Sequence, residues 1–153
     1  MIKNPRTFLP VLAMAVTLLA SCDVASVGWG PVSSSYDGQT RVRGSGVWVN
    51  DSSVQAVNRI SYRDTAPLDG NTVYVKTQVR WWTYNPSQDA VTWLGGTTKS
   101  TPETSSSSYI ERSVAWSLNA DGSRARAEPE VCAQMGWPVP DSCASGGVPT
   151  FNY

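Results

Sequence analysis

Hydrophobic and polar residues alternate along most of this chain with a period of two, the spacing of an extended strand whose two faces meet different surroundings. The pattern is longest over Thr72–Tyr84, where Val73, Val75, Thr77, Val79, Trp81 and Thr83 point one way and Tyr74, Lys76, Gln78, Arg80, Trp82 and Tyr84 the other. At ~3.3 Å per residue such a segment runs to roughly 40 Å, beyond the usual strand, so it is expected to bend or to serve two partners at the centre of the core. Asn85–Asp89 turns the chain into Ala90–Lys99, where Val91 and Trp93 share a face and Gly95-Gly96 interrupts the strand. The two segments read as a hairpin.

Shorter alternating segments flank this hairpin. Arg41–Asn50 predicts a strand bent or bulged at Gly44 and Gly46, Asn50-Asp51-Ser52 a turn, and Val54–Tyr62 a second half-buried strand. Asp64–Asn71, with Pro67 and Asp69-Gly70-Asn71, has the chemistry of a loop, and Ser100–Ser107 is a polar loop. Ile110, Val114, Trp116 and Leu118 line one side of a further strand, and Asn119-Ala120-Asp121-Gly122 reads as a hairpin turn into Ser123–Glu128. There Arg124, Arg126 and Glu128 share a face, the mark of an exposed edge strand protected by charge. Pro129–Tyr153, with Pro138, Pro140, Gly146, Gly147 and Pro149, is expected to be an irregular tail. Helical periodicity is missing, and no segment repeats at a fixed period. The expectation is one all-β domain over residues 41–153, a small antiparallel β-sandwich or barrel.

The beginning of the chain follows a different pattern. Lys3 and Arg6 precede an uncharged apolar run from Phe8 to Ala20, the layout of a secretory signal peptide, and the run is shorter than the ~20 apolar residues that a permanent membrane helix needs. It ends in Leu19-Ala20-Ser21-Cys22, which resembles the lipobox of bacterial lipoproteins at all four positions. The resemblance implies that residues 1–21 are a signal peptide cut before Cys22. It also implies that the Cys22 thiol carries a diacylglycerol, with palmitate-like chains, and that the mature protein is lipid-anchored on the extracytoplasmic face of the cell membrane, in the periplasm or at the cell surface. Two or three acyl chains, at ~0.8 kcal/mol per buried methylene, hold a protein far more firmly than one. Residues 22–40, rich in glycine and serine, are then expected to form a flexible tether, with Trp29 docking late.

With Cys22 committed to lipid, Cys132 and Cys143 remain as a pair in an oxidising compartment and are expected to form a disulfide. Closing a loop of about a dozen residues removes denatured-state entropy worth about 3 kcal/mol in the chain-entropy model. The tail is thereby tied. The chain has no histidine, which removes the usual general base and the Ser-His-Asp, Cys-His and histidine-zinc centres. Three residues before Lys76 and Lys99 stand Val73 and Gly96, so a Ser-x-x-Lys arrangement is missing as well. No enzymatic activity, cofactor or metal is expected. Of the 12 basic residues only Lys3 and Arg6 fall in the leader, while all 12 acids lie beyond it, so the mature part is slightly acidic and nucleic acid is not expected as a partner.

Two stretches could bind something. The outward row of the long segment, Tyr74, Lys76, Gln78, Arg80, Trp82 and Tyr84, places aromatic rings and cations on one face, unless a second sheet or the tail covers it. Trp137-Pro138-Val139-Pro140 sits inside the disulfide loop and either presents Trp137 or caps the end of the sandwich. A partner protein of the envelope is the leading reading and a cell-wall glycan the alternative. A coplanar Tyr74/Trp82/Tyr84 strip would favour sugar, and a mixed apolar patch rimmed by arginine would favour protein. Cys22→Ser is expected to move the mature domain from the membrane fraction to the soluble fraction, and cell fractionation with immunoblotting measures it; a variant that loses its leader yet stays membrane-bound would contradict the anchor.

Overall fold

The structure is a computed structural model that describes residues 26–52 and 55–153, so the leader and Cys22 lie outside the described residues. These residues form nine strands: β1 (Ser26–Tyr36), β2 (Gln39–Ser52), β3 (Gln55–Asp64), β4 (Thr72–Asn85), β5 (Ala90–Ser100), β6 (Ile110–Ser117), β7 (Arg124–Gln134), β8 (Ser142–Ser145) and β9 (Thr150–Asn152). They make two antiparallel sheets, one in the order β1-β2-β3-β6 and the other β5-β4-β7-β8, with β9 also on β7. The all-β sandwich expected from the alternation is therefore present, and Cys132 and Cys143 are disulfide-bonded across directly opposed positions of β7 and β8.

The long alternating segment behaves as its length demands. β4 pairs with β7 from Thr72 to Trp82 and with β5 from Lys76 to Asn85, with a register shift between Gln78 and Arg80. Val73, Val75, Thr77 and Val79 are buried, while the opposite row is half-buried on the outer face of the sheet, with Tyr84 exposed and Tyr74 in contact with Asp141 of the tail. Trp81 packs against Gly96, where a Cβ would come within 2.2 Å of its ring, so the glycine expected to interrupt β5 lies within a continuous strand and makes room for that indole.

Three expectations are corrected. From Ser26 onward the stretch read as a tether is β1, paired with β2 along its length. Its signal was hidden because a register shift between Trp29 and Val32 breaks the period, and because one inward residue is Ser34, whose hydroxyl meets Ser142 of β8. The turn at residues 119–122 does not close a hairpin: β6 belongs to the first sheet beside β3, and β7 to the second. Nor is the segment that begins at Arg124 an edge. β7 continues through Pro129 to Gln134 and lies between β4 and the pair β8 and β9. Its buried face is Ala125, Ala127, Pro129, Val131 and Ala133, a weak strand signal in sequence but the right volume in space, since Ala125 sits in register between Trp81 and Phe151. Residues 129–134, expected in the tail, are thus core strand.

Between the sheets pack Trp29, Val42, Trp48, Ile60, Tyr62 and Trp116 from one side and Val73, Val75, Val79, Val131 and Phe151 from the other. Trp48 stacks on Phe151 with centroids 5.9 Å apart and leans on Trp116 at 5.1 Å. A polar link is set in this core: Asn58, fully buried, accepts from Trp29 Nε1 at 3.0 Å and donates to the buried Thr77 Oγ1 at 3.2 Å. The indole reaches Asn58 across Gly46, where any Cβ would fall 2.6 Å from the indole nitrogen. Asn58→Ala would leave the buried Trp29 N–H without its acceptor, at a cost of about 1–3 kcal/mol. The expected result in urea denaturation is a lower midpoint at unchanged m-value, whereas an unchanged midpoint would contradict the role given to this link.

The strand directions also give the sandwich two distinct ends. β1 begins at one end, with Ser26 opposite Val49, and the 85–89 and 119–122 turns and Tyr153 lie at the same end, as the Trp48–Phe151 contact and the Tyr153 Oη–Asn119 O hydrogen bond require. The Asp37-Gly38 turn, the 65–71 loop and the 135–141 loop lie at the other.

Candidate functional site

On the outer face of the second sheet, the predicted row divides into three parts. Its middle is a lattice of charges: Lys76 Nζ meets Glu130 at 2.7 Å, and Glu128 receives both Arg80 Nε and Arg126 Nη2 at 3.0 Å. Each pair joins β4 to β7 across the sheet or runs along β7, and half-exposed pairs of this kind contribute little stability individually. They do occupy the cations, so Lys76 and Arg80 are not free to receive a ligand. Tyr74 stands at one end of the row, where its hydroxyl donates to Asp141 at 2.6 Å. Tyr84 stands at the other, roughly 33 Å away at strand rise, with its hydroxyl on Asp89.

The row is not a coplanar strip. Trp82 meets Trp93 of β5 edge-on, with centroids 5.3 Å apart and planes at 62°. Arg126 lies over the Trp93 ring at 4.8 Å, and Arg124 is placed near the same ring at 6.0 Å. Tyr84 and Val91, opposite each other on β4 and β5, are half exposed. Together these side chains form a mixed apolar patch rimmed by arginine. Trp93 could have been found from sequence, because a hairpin closed at Asn85 and Ala90 puts it directly opposite Trp82. Arg124 and Arg126 could not, since reading β7 as an edge placed them away from the hairpin.

Trp137 lies far from this patch, at the opposite end of the sandwich, and is 97% exposed. The turn that carries it is closed by a Val139 N–H to Gly136 O hydrogen bond and is anchored by the disulfide between β7 and β8. On the same end Leu68 is 99% exposed on the 65–71 loop, a residue that the turn chemistry of Pro67 and Asp69-Gly70-Asn71 does not single out. That loop is braced by the ion pair between Arg41 and Asp69 and by the Thr65 N–H to Arg41 O hydrogen bond.

A further opening lies elsewhere again. An open groove of 540 Å³ crosses the outer face of the first sheet, with Val47, Arg59, Ser61, Glu111 and Ser113 along it. Arg59 is exposed and makes no ion pair among the described residues, and Arg43 and Arg63 stand directly opposite each other on β2 and β3. Glu130 approaches the sulfurs of Cys132 and Cys143, but both thiolates are consumed in the disulfide and offer nothing to a metal. No protein-family model matches the chain, and no curated protein matches it.

Burial pushes the Tyr74 hydroxyl up to about 12, helped by its hydrogen bond to Asp141 and by the charges of Asp141, Glu103 and Glu130. A tyrosine whose folded pKa is raised contributes stability that is complete below the ordinary value near 10 and is lost as pH climbs toward 12. Ultraviolet titration is expected to contain a tyrosinate phase near pH 12 that Tyr74→Phe removes and that Asp141→Asn moves down toward 10. A phase unmoved by both changes would contradict this assignment.

Proposed function

We propose that this chain is a lipid-anchored, non-enzymatic protein-interaction module on the extracytoplasmic face of the cell membrane, with an envelope protein as its partner. The observation that carries the reading is the pair of nearly naked apolar side chains, Leu68 and Trp137, on braced loops at the end of the sandwich opposite Ser26. An anchor at Cys22 holds the other end to the bilayer, so these two loops face away from it. Large apolar side chains held on rigid supports in full contact with water are the usual anchors of protein interfaces, because burying one removes much apolar surface from water without ordering a flexible loop.

The alternative, a glycan-binding module, has less support. Sugar platforms need parallel, accessible rings, whereas Trp82 and Trp93 meet edge-on and the hydroxyls of Tyr74 and Tyr84 are already engaged by Asp141 and Asp89.

A photo-crosslinking amino acid at position 137 in living cells is expected to give discrete protein adducts, while the same probe at Thr98, on exposed β5, gives none. Trp137→Ala is expected to lose the partner in pull-downs at unchanged stability, within about 0.5 kcal/mol. Adducts missing from position 137 in a membrane-localised protein would sink the proposal.

A further inference from the structure

We infer that the Trp82/Trp93 patch and the overhanging β4–β5 hairpin seat the domain on the headgroup layer of the bilayer to which the chain is tied, so that the sandwich stands upright with Leu68 and Trp137 pointing outward. The inference rests on the proposed anchor and adds to it a second, non-covalent contact.

Chain length sets the distance. Cys22 precedes Ser26 by four residues, and Ser26 is already paired into the first sheet. At most ~3.6 Å per residue, the link between lipid and strand spans no more than about 14 Å. The tether expected from sequence is therefore reduced to a few residues, and the end of the sandwich where β1 begins is held against the membrane.

That same end carries the patch. β4 and β5 continue past the last β4–β7 pair, Trp82 with Arg124, and pair on through Tyr84 with Val91 to Asn85 with Ala90. The hairpin thus projects beyond the end of β7 on the side where β1 starts, braced by a hydrogen bond from Thr83 Oγ1 to Asp121 O. Its exposed face presents Tyr84 and Val91, with Trp82 and Trp93 behind them and Arg124 and Arg126 at the rim.

The chemistry fits the interface between lipid and water. Indole and phenol rings have an apolar body and a polar tip and concentrate at headgroup depth, and the guanidinium of Arg124 at the rim matches phosphate. Net charge contributes little, since Asp89 and Asp121 lie at this end too and Arg126 already faces Glu128. Ring burial, and not a basic surface, carries the contact, so the seating is expected to resist salt.

The test uses the full lipidated chain in vesicles of phosphatidylcholine and phosphatidylglycerol brominated at shallow acyl positions, with tryptophan fluorescence read out. The quenched part of the emission is expected to fall at least twofold in Trp82→Phe/Trp93→Phe and to stay unchanged in Trp137→Phe and in high salt. As a measurement that leaves the core alone, a nitroxide at Val91→Cys is expected to collide with lipid-soluble oxygen at least threefold more, relative to a water-soluble relaxant, than one at Leu68→Cys. Quenching untouched by the double phenylalanine variant, or equal accessibility at positions 91 and 68, would overturn the seating while leaving the anchor standing. A Cys22 without diacylglycerol by mass spectrometry would overturn the anchor, and this inference with it.

Discussion

Asn58 is a buried amide in the core, and its two hydrogen bonds tie three strands of two sheets together. Trp29 on β1 must cross β2 to reach it, which it can do only because residue 46 is glycine. Thr77, at the middle of β4, must face inward to meet it from the other sheet. A buried amide in the wrong register would lose its partners and face the full cost of desolvation. Apolar faces alone tolerate sliding by two residues; this link does not. It sets the position of β1 on β2 and of the first sheet over the second, and through them which end of the molecule each loop occupies.

Fixing the register also decides what each outer face becomes. On the second sheet the alternation that buries Val73, Val75, Thr77 and Val79 necessarily turns Lys76 and Arg80 outward, where β7 supplies Glu130 and Glu128. The middle of that face is thereby satisfied by its own neighbours. Unspent chemistry is left at the extremities: the ring cluster at one end, the two bare apolar side chains at the other. On the first sheet the opposed Arg43 and Arg63 make the reverse case, like charges held side by side by a backbone that has no alternative register.

Where sequence reading succeeded, period and turn chemistry agreed. The hairpin of β4 and β5 was legible because long alternation met an Asn-Pro turn, and the disulfide because two cysteines remained once Cys22 was set aside for the expected lipid. Reading failed where a strand is built from small or polar residues. β1 carries a serine inward and a register shift after Trp29, so its period is broken, and only the pairing with β2 reveals it. β7 buries alanines and a proline, residues of low strand propensity, and at Ala125 the rings of Trp81 and Phe151 stand on either side of the small side chain. Its charged outer face then imitated an edge. The candidate site suffered from the same error: Tyr74, Lys76, Arg80, Trp82 and Tyr84 were placed correctly on one face, but which of them are engaged depends on β7, whose place in the sheet local pattern does not reveal.

The position of β7 has a temporal meaning as well. It joins β4 across separations that reach from Thr72 to Gln134, and β8 and β9 can add only after it. Until that strand is in place, the β4–β5 hairpin has an open edge along β4, whose backbone groups wait for their partners on β7. Closing so long a loop costs entropy before any contact repays it, and folds dominated by such pairings are slow. The second sheet therefore needs the C-terminal part of the chain to be complete, and without it β4 keeps one edge unpaired.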